Sequence, residues 1–391
     1  MKITILHRYF WPQNYPYATM LRYITEQTVD HFDEVEVLSS YHNQEEKVKR
    51  EEWAVENNIN CKGINLKSER GLSLPNKVLT MLRYWFWLIY QLATIKTDVV
   101  MVATTPPVFT AMLVRFFSKI KKYNYIYHCQ DIHPESSLIN GNIKDGFFFR
   151  WLRSVDKNNV NEASLVICLS SDMKKTLVER GSSSSNIKCI NNFIFEGSPI
   201  PTSGEKDNIT RFLFAGTLGH FQNLGSLFKV IEKFDGNDKV EFHIMGDGPL
   251  KSSLVNKFGY VSNLIFHGMR PIEDAISAMD KCDFGIVTLS EGITQVAYPS
   301  KSIMYLSRGL PILACVDVES DVFKLINDNV LGLAVCNSNH NSIEEAINKL
   351  IVINNEVFFD RKDISDFANN QFGKDEILSK FNDAFREVSE K

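Results

Sequence analysis

Long apolar runs are missing from this 391-residue sequence. A membrane-spanning helix needs roughly 20 apolar residues. The longest charge-free piece of "VLTMLRYWFWLIYQLATI", Tyr84 to Ile95, has 12 residues, and "PPVFTAMLVRFFSKIKKY" opens on Pro106-Pro107 and closes on a basic cluster, so neither spans a bilayer. Cysteine pairs are missing as well. Cys61, Cys129, Cys168, Cys189, Cys282, Cys315 and Cys336 are scattered, odd in number and never spaced CxxC, which excludes a disulfide frame or zinc site and predicts reduced core thiols in a cytosolic protein. The opening "MKITILHRYF" has too short an apolar run for a signal peptide and reads as a buried first strand, so the chain is expected in the cytoplasm. No D-x-D flanked by strand occurs, and no His or Cys cluster has metal-ligand spacing.

Room for two cores is present: a 391-residue chain with 44% hydrophobic residues predicts two domains. The net charge is only −4, but it is unevenly spread. From Cys61 to Lys122, ten Lys or Arg face Glu69 and Asp98 alone, a local balance of +8 that leaves −12 for the rest. This segment contains both aromatic runs. They read as buried crossover helices, or as helices lying against an anionic membrane surface with Lys119, Lys121 and Lys122 facing it, because aromatic bodies beside basic heads suit that interface. No nucleic-acid partner is expected.

Short β-branched runs alternate with helical patterns along the chain. The first half has strand candidates at 2–7, 34–40, 98–103, 123–128 and 164–170, with helices near 18–29, 77–93, 107–120, 147–159 and 171–180. The second half has strands at 211–216, 240–246, 263–268, 283–289, 311–316 and 332–335. Continuous apolar strands with helical crossovers mean parallel sheets covered on both faces. The fold class is therefore α/β, two doubly wound Rossmann-like domains. They are placed at 1–192 and 208–372, separated by the Gly-, Ser- and Pro-rich stretch 191–208, with a charged C-terminal helix at 373–391 that packs back on the first domain. The polar run 39–58 reads as an exposed loop or short helix.

Ligands of such sheets sit at the carboxyl ends of the strands. After the first strand of the second half comes "GTLGHFQNL", where Gly216 and Gly219 let backbone approach an anion and a helix starts near Gln222. "GDGP" follows the next strand, with Gly246 and Gly248, and "FHGMRP" the one after, with Gly268 and Met269. In "YPSKSIMYLSRGLP", Ser300 is the expected N-cap, Gly309 the C′ residue and Pro311 the start of the next strand. Lys301 beside a helix N-terminus would hold a diphosphate against these turns.

The ordered stretches "FAGTLGHFQNL", "HIMGDGPL", "LIFHGMRP", "CDFGIVTL" and "YPSKSIMYLSRGLPILACVDVES", with "ILHRYFWPQNYPYATMLRYITEQ", "ATTPP" and "HCQDIHPES" in the first half, resemble retaining GT-B glycosyltransferases of family 4, in particular the bacterial branch that builds O-antigen and capsule units. The resemblance implies two domains facing a cleft and transfer of a sugar from a nucleotide diphosphate donor, UDP favoured, with no metal or other cofactor required. It assigns donor binding to Gly216, Thr217, Gly219, Gln222, Gly246, Gly248, Gly268, Met269, Ser300, Lys301 and Ser302. It assigns the acceptor and phosphate loop to Tyr15, Tyr17 and Thr19, and sugar or acceptor contacts to His128, Asp131 and His133, with Asp131 orienting or deprotonating the acceptor hydroxyl. Glu135 reads as a capping acid. With the basic segment, it implies a polyprenyl-diphosphate-linked saccharide acceptor at the inner membrane, where the enzyme would be peripherally attached.

Two departures stand out. The family's paired glutamates fall at Val296 and Met304, so Glu291, Glu319 or Asp321 would have to hold the ribose, with Glu319 best placed. The family's usual Arg and Lys on the phosphates are also altered, with His220 and Gln222 in the glycine-rich loop, leaving Lys301 the chief cation. A non-hydrolysing nucleotide-sugar epimerase of the same architecture and an inactive nucleotide-sugar-binding homologue are the alternatives.

Overall fold

The computed structural model describes residues 1–68, 73–195, 208–354 and 358–390. Most of the expected boundary stretch, 196–207, lies outside them. The chain forms two compact units: residues 1–138, 143–192 and 375–391 make one, and 139–142 with 193–374 the other.

The first unit holds β1 (Lys2–Tyr9), α1 (Pro16–Thr28), β2 (Glu34–Tyr41), α2 (Gln44–Glu56), β3 (Asn60–Asn65), α3 (Leu74–Thr94), β4 (Val99–Ala103), α4 (Phe109–Lys121), β5 (Asn124–Cys129), α5 (Glu135–Ile139), α6 (Phe147–Asn161), β6 (Leu165–Cys168), α7 (Ser171–Glu179) and β7 (Ile187–Cys189). Its sheet is wholly parallel, in the order β3-β2-β1-β4-β5-β6-β7. Strands such as "VVMVA" are buried at every position, because helices cover both faces. Of the two readings of the polar run at 39–58, the helix is the one found: the run finishes β2 and then forms the 13-residue α2, capped by Asn43 and held inward by Trp53. Strands β3 and β7, too polar and too short for the apolar pattern, were also absent from the expectation.

The second unit holds β8 (Thr210–Ala215), α8 (Leu224–Ile231), β9 (Val240–Met245), α9 (Lys251–Phe258), β10 (Leu264–Gly268), α10 (Ile272–Lys281), β11 (Phe284–Thr288), α11 (Ser300–Ser307), β12 (Ile312–Val316), α12 (Asp321–Asp328), β13 (Gly332–Cys336), α13 (His340–Asn354) and α14 (Arg361–Phe372). Its parallel sheet runs β10-β9-β8-β11-β12-β13. Phe212 lies at the centre of its core, with the rings of Phe242 and Phe284 each 5.2 Å away. Strand order reverses between β1 and β4 in one unit and between β8 and β11 in the other, the switch points beside which ligands of such sheets bind.

The last helix, α15 (Lys374–Ser389), belongs to the first unit. Ile377, Leu378, Phe381, Ala384, Phe385 and Val388 recur at helical spacing and are all buried. Phe381 meets His128 edge-on at 5.4 Å and Phe385 meets Phe32 at 6.3 Å.

Candidate functional site

In the second unit three glycine turns nest at the carboxyl ends of β8, β9 and β10. The Gly216 N–H donates to the Met245 carbonyl and the Gly246 N–H to the Gly268 carbonyl, at 2.9 and 2.8 Å. Gly246 has φ 147°, and a Cβ there would lie 1.9 Å from the Gly216 carbonyl oxygen, so only glycine lets these backbones meet. Thr217, exposed, and Met269, 68% exposed, sit on the outer side of the turns. The helix expected near Gln222 begins at Leu224, just after a single 3-10 turn at His220–Gln222, and the Gln222 side chain accepts from the Gly219 N–H at 3.2 Å, so it shapes the turn.

Lys301 reaches this nest from the first turn of α11. Its Nζ lies 3.7 Å from the centroid of the Phe214 ring, is buried and has no hydrogen-bond partner among the described residues. A Cβ on Gly216 would come within 3.0 Å of that ammonium, so the glycine keeps open the space before it. Burial without a counter-ion pulls Lys301 down to about 7, which corrects the expectation of a full standing charge. Tyr305, one turn later on the same helix face, is fully buried and its hydroxyl accepts the Ala215 N–H at 2.8 Å. It locks α11 onto β8 and thereby aims Lys301. Tyr305 was missed, although its spacing of four from Lys301 was the available signal.

Other expected donor residues are placed differently. Pro299, without a side-chain bond, occupies the N-cap position, and Ser300 is the exposed first residue of α11. The Ser302 hydroxyl is buried and donates to the Pro299 carbonyl at 2.7 Å. Glu319 is 78% exposed and pairs with Lys324 at 3.1 Å, so a ribose contact from it requires breaking that pair. Met304 is 38% exposed and Val296 buried. The carboxylate that organises the loop before α11 is Asp317, which accepts from the Gly292 N–H at 3.0 Å and the Thr294 hydroxyl at 2.7 Å.

The first unit gathers a second group at the ends of β1 and β5. His128 is fully buried, with Nε2 2.8 Å from the Gln130 amide nitrogen and Nδ1 2.8 Å from the Tyr17 hydroxyl. Because the amide donates, the ring proton sits on Nδ1. Burial, with His7 nearby, pulls His128 down to about 3, so the ring is neutral at physiological pH. Both nitrogens are occupied, which makes His128 a support for Tyr17 and Gln130 rather than a direct sugar contact. His7 meets Tyr17 edge-on at 4.9 Å, and Tyr15 stacks on Tyr9 at 4.4 Å, while Thr19 is half-buried on α1.

Asp131 follows on the loop after β5, and desolvation pushes its carboxyl up to about 6. His133 bonds the Ser136 hydroxyl at 2.9 Å and is pulled down to about 4 by burial and Arg180. Glu135 is the structural member: Arg180 bridges it to Asp156 in a buried ion-pair network and also donates to the His133 carbonyl at 2.9 Å. Among the described residues, no group of three or more His, Cys, Asp or Glu could hold a metal ion.

Comparison with known proteins follows the same division. Residues 18–195 match the model of Glycosyltransferase Family 4, and residues 209–352 match that of Glycosyl transferases group 1. Each of the two units thus matches a glycosyltransferase model over most of its length. The second match spans the glycine turns and Lys301, and the first spans His128 to His133. A probable glycosyltransferase, WbjE of Pseudomonas aeruginosa, is 25% identical over 251 residues, which cover 60% of this chain and 61% of that protein. The HepE structure from Anabaena, in complex with UDP-glucose, superposes with a TM-score of 0.69 at 15% identity, over 99% of this chain and 100% of HepE. The lipopolysaccharide outer core galactosyltransferase WaaB gives 0.66 at 15% identity, over 99% of both chains.

Proposed function

We propose that this glycosyltransferase moves a sugar from a nucleotide diphosphate donor, UDP-sugar in preference, to a lipid-linked saccharide during assembly of a bacterial surface polysaccharide, with retention and without a required metal. The observation that carries the reading is Lys301: a buried amine with no hydrogen-bond partner among the described residues, set against the Gly216 turn that nests with the turns at Gly246 and Gly268, is a site suited to an anion. A diphosphate leaving group there gains the Lys301 charge and the free N–H groups at the start of α11, and stabilising its developing charge lowers the barrier. Asp131 holds the acceptor hydroxyl, and its raised carboxyl suits proton exchange near neutrality. The UDP and UDP-glucose complexes of HepE and the lipopolysaccharide substrate of WaaB support the donor and acceptor classes.

A thermal-shift panel of UDP, GDP, UDP-glucose and UDP-galactose is the test. A ligand at about 100 times its Kd stabilises by about 2.7 kcal/mol, so a UDP compound should raise Tm by several degrees. Adding a lipid-linked saccharide should then release UDP. Absence of any shift with all four compounds overturns the donor assignment.

Membrane attachment has support in the first unit, with one revision. Lys119 is paired with Glu162 at 2.7 Å, so Lys121 and Lys122 remain the basic contribution of α4. The apolar part comes from α3, where Leu74, Val78, Leu79, Leu82, Phe86 and Tyr90 are 42–75% exposed, with Lys77 and Arg83 among them. Such a face lies at a lipid interface rather than across it, and no described helix is long and apolar enough to span. Sedimentation with vesicles containing anionic lipid should bring the protein down, and Leu79→Asp with Phe86→Asp should cut the bound fraction at least about tenfold, since each apolar group buried contributes one to three kcal/mol. Equal sedimentation of the double variant refutes this attachment.

A further inference from the structure

Three cysteines form a row across the first sheet: Cys129 is in register with Cys168 on the neighbouring strand, and Cys168 with Cys189 on the next. The outer pair is close, with Cys168 Sγ and Cys189 Sγ 3.8 Å apart. Register partners on adjacent strands have Cα atoms about 5 Å apart, inside the window a disulfide accepts, so side-chain rotation alone can shorten the sulfur separation to about 2.05 Å. Cys168 is buried, whereas Cys189 lies exposed on β7, the edge strand of this sheet among the described residues. Exposed Cys189 corrects the expectation of core thiols, and its neighbour was not foreseen because nothing in a spacing of 21 residues announces parallel-strand register.

We propose that Cys168 and Cys189 are an oxidisable dithiol that closes to a disulfide with hydrogen peroxide. The Cys189 thiolate attacks one peroxide oxygen, the O–O bond breaks and water leaves, giving a sulfenic acid. The Cys168 sulfur then attacks the Cys189 sulfur, the S–O bond breaks and a second water leaves, so two thiols lose two electrons and two protons to one peroxide. The carbonyl of Ser170 lies 3.6 Å from Cys168 Sγ and 3.4 Å from Cys189 Sγ, which keeps both sulfurs at the same end of the sheet. The disulfide would clamp the three-residue β7 to β6, just before the chain leaves the first unit at Asn192, and one residue past the row that contains His128.

The test uses the full chain, treated with a small excess of peroxide while folded, then alkylated and measured by intact mass and peptide mapping. The expected product has lost two hydrogens, leaves five of its seven thiols alkylated, and yields one peptide pair joining Cys168 to Cys189. Dithiothreitol should reverse it and lower the oxidised protein's raised Tm. Cys189→Ser, a change at an exposed position, should abolish the link, and Cys168→Ser should leave a Cys189 sulfenic acid trapped by dimedone. Full alkylation of both thiols after peroxide, a link through Cys129, or Cys189 overoxidised while Cys168 stays alkylated would each overturn the proposal.

Discussion

Lys301→Met is expected to weaken UDP binding about ten- to a hundredfold while making the ligand-free protein more stable at neutral pH. The binding loss follows from removing the charged donor that faces the glycine turns, since hydrogen bonds to charged groups contribute about 1.5–3 kcal/mol and a hundredfold is about 2.7. The stability gain has the opposite origin. In the unfolded chain the lysine stays protonated up to its ordinary 10.5, whereas in the fold it gives up its proton near 7. Between those values the unfolded state binds more protons, so stability from this group rises with pH; below about 7 the buried ammonium costs the fold its full penalty. Methionine removes that penalty and keeps the volume over Phe214. The gain should be about 2–4 kcal/mol at pH 6 and fade toward pH 10, after allowance for the cation–π contact that is lost. Denaturant unfolding at several pH values measures it. Wild-type affinity for UDP should fall from pH 8 to 9 as the free lysine deprotonates, by up to about tenfold, whereas the variant should be flat. A variant that binds UDP like the wild type would remove the anion site from Lys301.

Gly246→Ala should cost at least about 3 kcal/mol and collapse donor binding with it. Its Cβ would meet the Gly216 carbonyl oxygen at 1.9 Å, at a φ of 147° that side chains rarely adopt, so the turns after β8 and β9 must separate. Gly219→Ala is the matched control. There φ is −124° and the nearest atom, Gln222 Oε1, is 3.2 Å away on a side chain that can shift. The control should keep Tm within about 2 °C of the wild type, in keeping with a change under 0.5 kcal/mol. Equal Tm for the two variants would mean that the turns do not pack as described.

The two parallel sheets were legible because continuous apolar runs such as "VVMVA" and "ILACV" have one physical explanation, burial on both faces. The glycines at 216, 246 and 248 were legible as turns for a related reason: each has a positive φ in the structure, and glycine after a buried strand marks backbone that needs it. Strand β3 was not legible, since "NCKGIN" is half polar and becomes a strand only by pairing with β2. Helix α2 was legible only as one of two readings: its mostly charged residues give a weak apolar stripe, and Arg50, Trp53 and Ala54 are its buried side.

What the sequence by itself determined is the order of the apolar strands and most of their helices, the two-sheet class and the glycine turns that precede Lys301, because all of these follow from local pattern and from strand ends sharing one edge of a parallel sheet. The tertiary structure decided the chemical state of those residues. Burial over Phe214 weakens the charge that Lys301 holds at neutral pH, His128 is sealed by a phenylalanine from the last helix, and Ser302 and Glu319 are committed to protein partners. Desolvation and hydrogen-bond occupancy depend on what neighbours supply across long sequence separations, and no window of adjacent residues contains that information.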